Sequence, residues 1–146
     1  MNREILFRGK RKDNGEWVDG YYCGKYNKTF FSPAEDSAQI IDKDLYWHEV
    51  IPETVGQYTG LDANGKKIFE GDIVKHYNNS DDGFDIGAMY WDEQFSQWKR
   101  TSIGNFHHRS FTYTMSRSCE YEIIGNIHDN PELLEVHNGT ENADSM

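Results

Sequence analysis

Residues 55–75, Val55 to Lys75, read VGQYTGLDANGKKIFEGDIVK. Asn64-Gly65 in the middle of this stretch is a tight-turn signal, because asparagine and glycine tolerate the positive φ that short hairpins require. Gly71-Asp72 is a second interruption, placed where a chain turns before entering a new strand. Ile73, Val74 and then Tyr77 suit a buried strand, and Ile68 belongs with Ile73 and Val74 in a core. Gly56, Gly60, Gly65 and Gly71 read as turn positions and Asp72 as a local turn acceptor.

The same grammar extends outward from this stretch. Residues 4–8 and 16–22 form a candidate strand pair around Asp13-Asn14-Gly15, which is another hairpin signal. Thr29-Phe30-Phe31 predicts a strand. Ser32-Pro33-Ala34-Glu35 predicts a short helical turn with Ser at the N-cap and Pro at N1. Ile40-Ile41 and Leu45-Tyr46-Trp47 predict short strands around Asp42-Lys43-Asp44, and Pro52 marks a break. Further along, strands are expected at 84–91, 95–101, 111–115 and 121–127. The first two are joined near Asp92-Glu93, and residues 102–110 form a connection. Asn130-Pro131-Glu132 starts one helical turn, and residues 136–146 read as a flexible tail.

Composition supports a sheet protein. The 146 residues include 4 Trp, 9 Tyr and 8 Phe against an apolar share of only 36%, so aromatic rings must supply much of any core. Many short strands with Gly and Asn turns predict a mainly β fold. The expected architecture is a small SH3-like barrel over residues 53–135, a β-rich N-terminal unit over 1–52 and one or two helical turns.

Charge is uneven along the chain. The formal net charge is −10; residues 1–12 hold five basic residues against one acid, whereas residues 53–146 hold 16 acids against 7 bases. An acidic surface disfavours phosphate backbones, whose binding depends on Lys and Arg. Nucleic acid is therefore the weaker expectation as a partner, and it would have to use the basic strip Arg3, Arg8, Lys10, Arg11 and Lys12 with Trp17 and Tyr21. No apolar run reaches membrane-spanning length, no secretory leader pattern opens the chain, and Cys23 and Cys119 have no redox or metal spacing. These features predict a cytoplasmic protein that engages no membrane.

Motifs for catalysis are missing from the sequence. Gly60 to Lys67 has the glycine spacing of a phosphate loop, but Lys67 stands where the magnesium-binding hydroxyl belongs. No nucleophile elbow occurs. The expectation is no catalytic, cofactor-binding or metal-ligating residues, no cofactor, and no enzyme. The competing metal reading would combine His76 with Asp81, Asp82 and Asp85, or pair His128 with Asp129; His107 and His108 are adjacent and would face opposite ways along a strand. Trp91, Phe95, Trp98, Tyr113 and Tyr121 exceed what one face of a small barrel can bury, so they are candidates both for the core and for an aromatic contact surface.

Three stretches resemble the YopX family of phage and prophage proteins: Arg3 to Tyr22 (REILFRGKRKDNGEWVDGYY), Val55 to Lys75, and Tyr121 to Glu135 (YEIIGNIHDNPELLE). The resemblance implies a mainly β fold with an SH3-like barrel, carriage on phages or mobile elements of bacteria, and no catalytic residues. The function expected is that of an accessory protein acting by protein–protein binding or self-association, with the acidic C-terminal barrel as contact surface. A nucleic-acid-associated factor is the alternative, and a metal-dependent enzyme the least favoured.

Overall fold

A computed structural model describes residues 3–24, 38–77, 84–102, 111–114 and 120–135. Eleven strands and one 3-10 turn are formed by them: β1 (Phe7–Lys10), β2 (Trp17–Cys23), β3 (Ala38–Ile41), β4 (Trp47–Val50), η1 (Pro52–Thr54), β5 (Gly56–Ala63), β6 (Lys66–Phe69), β7 (Asp72–Tyr77), β8 (Phe84–Asp92), β9 (Gln97–Ser102), β10 (Phe111–Thr114) and β11 (Tyr121–Asn126). A helical turn at 132–135 follows. The protein is mainly β, as expected. The strand orders are β4-β3-β2-β1-β5-β6 and β10-β9-β8-β7-β11. Both sheets have free ends in this order, so the described strands make two open antiparallel sheets and not a closed barrel. The strand expected at 29–31, the helical turn at 32–35, most of the 102–110 connection and the 136–146 tail lie outside the described residues. Packing divides the chain into two compact units, one ending at Gly60 and the other beginning at Leu61.

In the first unit, β1 and β2 pair from Phe7↔Gly20 to Lys10↔Trp17. Gly15 takes φ +72°, and the side chain of Asn14 accepts the Glu16 N–H, so the hairpin closes where the sequence placed it. β2 then changes partner: its residues 17–20 pair with β1, and 21–23 pair with β3. Gly20 stands at the change, where an added Cβ would fall 2.0 Å from the carbonyl oxygen of Ile41. The β3–β4 hairpin alternates strictly, with Ala38, Ile40 and Val50 buried and Gln39, Ile41, Trp47 and Glu49 facing away. Phe7, Val18 and Val55 pack onto the buried trio. Each fully buried aliphatic side chain contributes about 1.5–3 kcal/mol. The far end of β4 curls back to the chain just after β1 through the Arg11↔Val50 bridge, flanked by Lys12 N–H to Glu49 O and Ile51 N–H to Lys10 O. Gly9 permits this, since its Cβ would lie 2.9 Å from a Val50 methyl.

Expectations within 40–60 change in three places. Leu45 is a turn residue with φ +67°, not a strand residue, because the Asp42 carboxylate accepts the N–H groups of Asp44 and Tyr46 and winds the turn around itself. Gly56 is not a turn position; it opens β5 opposite Arg8. Gly60 is not in a turn either, since it lies inside β5, although with φ +85°; Gly65 and Gly71 do stand in turns, with φ +83° and +88°.

The second unit repeats the change of partner. Residues 84–88 of β8 pair with β7, and residues 89–92 pair with β9. Next to the change lies Gly87, whose Cβ would fall 1.5 Å from the Thr101 carbonyl oxygen. The Thr101 hydroxyl accepts the Ala88 N–H at 3.0 Å and so covers a backbone donor at the bend. Ala63, Ile68, Val74, Met89 and Tyr121 form the core, with Leu61, Trp98 and Ile123 packed against it. Asp72, 2% exposed, accepts the Phe69 N–H at 2.7 Å across the Glu70-Gly71 turn. Asp72→Ala is therefore expected to lower unfolding stability by about 1–3 kcal/mol, the cost of orphaning a buried amide, as read by urea denaturation. A loss smaller than that of an exposed control such as Asp62→Ala would remove this role.

Candidate functional site

Four polar side chains meet in the second unit. His76 on β7 stands directly opposite Asp85 on β8 and directly opposite Tyr121 on β11, so the three share one face of the sheet. Arg100 belongs to β9, where its ladder partner is Met89. Its guanidinium nevertheless reaches four residues back along β8 and donates to Asp85 Oδ2 at 3.0 Å. Close passage of β9 over Gly87 makes that reach possible. Arg100 is 4% exposed, so the ion pair is a buried one on the cationic side.

The second Arg100 nitrogen lies 3.4 Å from His76 Nδ1. A guanidinium can only donate, so Nδ1 is the acceptor and the imidazole proton resides on Nε2. The His76 ring also packs on Tyr121 with centroids 5.4 Å apart. Burial first, and then the Arg100 charge, push the His76 pKa below its ordinary value, against a weaker opposing pull from Asp85. The unfolded chain binds this proton near pH 6.5, whereas the folded one resists it to lower pH. Stability therefore rises with pH across that window and falls on acidification through it. Replacing His76 with Gln, which keeps an acceptor and loses the titration, is expected to flatten the dependence of the urea midpoint on pH between about 7 and 5. An unchanged slope would show that His76 does not titrate against Arg100.

This arrangement bears on the metal reading. Asp85 does lie beside His76, but its carboxylate holds a guanidinium, and a fixed cation at that place opposes a second one. Asp81, Asp82, His107, His108 and Cys119 lie outside the described residues. Asp129 takes the side-chain amide of Asn126 at 3.1 Å. Among the described residues, no group of three or more His, Cys, Asp or Glu stands close enough to hold an ion. Cys23 is half-buried on β2 opposite Gln39.

The basic strip is largely engaged within the fold. Arg8 lies 4.6 Å and Lys10 5.9 Å from the centroid of the Trp17 ring. Arg11 binds Asp13 at 2.6 Å and Lys12 binds Glu49 at 3.1 Å. Of the aromatics singled out from sequence, Tyr121 is in the core, Trp98 is half-buried with its ring edge-on to Trp91, and Trp91 and Phe95 remain exposed. The Tyr113 side chain lies outside the described residues.

A larger exposed apolar group lies in the first unit, and sequence reasoning missed it. Tyr21 pairs with Ile41, and Ile41 pairs with Trp47, so the three form a row across β2, β3 and β4 on the face turned away from Ile40 and Val50. Tyr21 is 62% and Trp47 57% exposed, and the adjoining turn adds Leu45 at 73% and Tyr46 at 68%. The period-2 alternation of Gln39-Ile40-Ile41 was the signal that could have found it: with Ile40 inward, Ile41 and its neighbours must face outward.

The three recognisable stretches supply core residues such as Ile68, Val74 and Tyr121 and also build turns. Asn64 and Gly65 both take positive φ. Asn126 Oδ1 accepts the N–H groups of His128 and Asp129, and Asn130 Oδ1 turns back to accept the Asn126 N–H at 3.3 Å instead of capping the helical turn. Gly125 lets that carbonyl in, since its Cβ would sit 2.6 Å away. The fold therefore defines a class of mainly β proteins built of two compact units. The family of YopX proteins matches residues 6–135, and the chain belongs to that family. No curated protein matches it.

Proposed function

We propose that this protein is an accessory factor, encoded by a phage or prophage, that works in the cytoplasm of the bacterial host by binding a protein and catalyses no reaction. The observation that carries the reading is the outward row Tyr21–Ile41–Trp47, with its two rings exposed and Ile41 half-buried between them, and exposed Leu45 and Tyr46 in the adjoining turn. Apolar side chains gathered on one outer face of a small domain mark interaction sites, whereas scattered ones do not. Tyr and Trp are also the side chains that dominate binding energy at protein interfaces. The row supports a contact on the first unit in preference to the more acidic second one.

The second sheet supports an SH3-like reading. Strands β7, β8, β9 and β10 form a meander, and β11 returns to lie beside β7, which is the strand order of a small, partly open barrel. The pairing of Arg8 and Lys10 with Trp17, and of Arg11 and Lys12 with carboxylates, weighs against the nucleic-acid alternative.

A photo-crosslinking amino acid at position 46, introduced in cells of a bacterial host, tests the proposal. Discrete protein adducts are expected at position 46 and none from the same probe at the exposed position 62. Equal or absent adducts at the two positions would remove it.

A further inference from the structure

We propose that the outer face carrying Tyr21, Ile41 and Trp47 joins two copies of this chain about a twofold axis; this rests on the binding reading above and names its occupant. Three observations point to a second copy. The first is area. Tyr21 and Trp47, each exposed by more than half, present on the order of 250 Å² of apolar side chain on this face, and the exposed Leu45 and Tyr46 stand in the turn that adjoins it. A stable interface buries roughly 800 Å² per partner, about 65% of it apolar in homodimers, so the two rings supply about half of the apolar core of one such contact.

The second observation is charge. Residues 1–60 hold 8 basic and 10 acidic residues, a net of −2, whereas residues 61–146 hold 7 and 15, a net of −8. Two copies repel least when they approach through their first units. The third is the turn beside the row. Exposed Lys43 and Asp44 are oppositely charged neighbours, while Asp42 is held by His48 at 2.7 Å. A twofold axis brings a patch against itself, so Lys43 of one copy can meet Asp44 of the other and the reverse at once. A single patch is then complementary to itself in sign.

Sedimentation equilibrium of the full chain up to about 200 μM tests this, since a dissociation constant below roughly 100 μM shows there. The wild type is expected to dimerise, and Tyr21→Ser with Trp47→Ser is expected to weaken the dimer at least 100-fold while the far-UV circular dichroism spectrum remains that of the folded chain. The charge arm is stricter. Lys43→Asp and Asp44→Lys are each expected to weaken self-association, and an equimolar mixture of the two variants to restore a dimer of one copy of each.

A wild type that stays monomeric throughout overturns the proposal, and so does a dimer indifferent to these substitutions. Should the chain be monomeric while the probe at position 46 still captures a different protein, the binding reading survives and the second copy does not. Absence of both removes both.

Discussion

Gly87→Ala is expected to destabilise the second unit by about 3 kcal/mol or more, or to prevent its folding. The added Cβ would sit 1.5 Å from the Thr101 carbonyl oxygen, which is backbone and has no rotamer by which to withdraw. Relief requires β9 to lift away from β8, and lifting it separates Arg100 from Asp85 and uncovers Met89. Gly65→Ala is the matched control. Gly65 has φ +83°, and beyond its own chain neighbours nothing lies within 4 Å of the place its Cβ would take, so it should lose only the ~1–2 kcal/mol of a left-handed residue. Urea denaturation of both variants decides between them. Equal losses would show that close approach at position 87 does not hold the bend.

Arg100→Met carries the second large effect. The substitution keeps much of the apolar stem and leaves the Asp85 carboxylate facing a partly buried site without its cation, which costs about 3–5 kcal/mol. The double variant Asp85→Leu with Arg100→Met removes both charges together. It is expected to be less destabilised than the sum of its single variants, because neither charge is then stranded in the interior. A double-mutant cycle by equilibrium denaturation measures the coupling. Strict additivity would mean that the two groups do not hold one another in solution.

How legible these features are depends on the separation of their parts. The Asn14-Gly15, Asn64-Gly65 and Gly71-Asp72 turns depend on φ preferences and on bonds between residues two or three apart, so a local reading finds them. The first unit's aromatic row is harder, because Tyr21, Ile41 and Trp47 come together only through the registers of three strands, and an aromatic-rich chain invites the assumption that its rings are inside. Arg100 is harder still. It meets a carboxylate 15 positions away and an imidazole 24 positions away, through a bend that its own ladder register conceals. Proximity along the chain did place His76 with Asp85 as candidate ion ligands. Nothing local signals that an arginine from β9 would occupy the carboxylate.

The aspartate that winds the β3–β4 turn has a counterpart at the hairpin between β8 and β9. Asp92 accepts the N–H groups of Gln94 and Phe95 and holds Lys99 at 2.6 Å from the returning strand, as Asp42 holds His48. Each carboxyl is drawn below its usual range, chiefly by the hydrogen bond from that partner. A lowered carboxylate stabilises the fold above its unfolded pKa, and the benefit is lost as pH falls through the lowered value. His76 releases its contribution much nearer neutrality. Acidification should consequently weaken the surroundings of His76 before it reaches the two hairpin carboxylates, which take up protons only at lower pH.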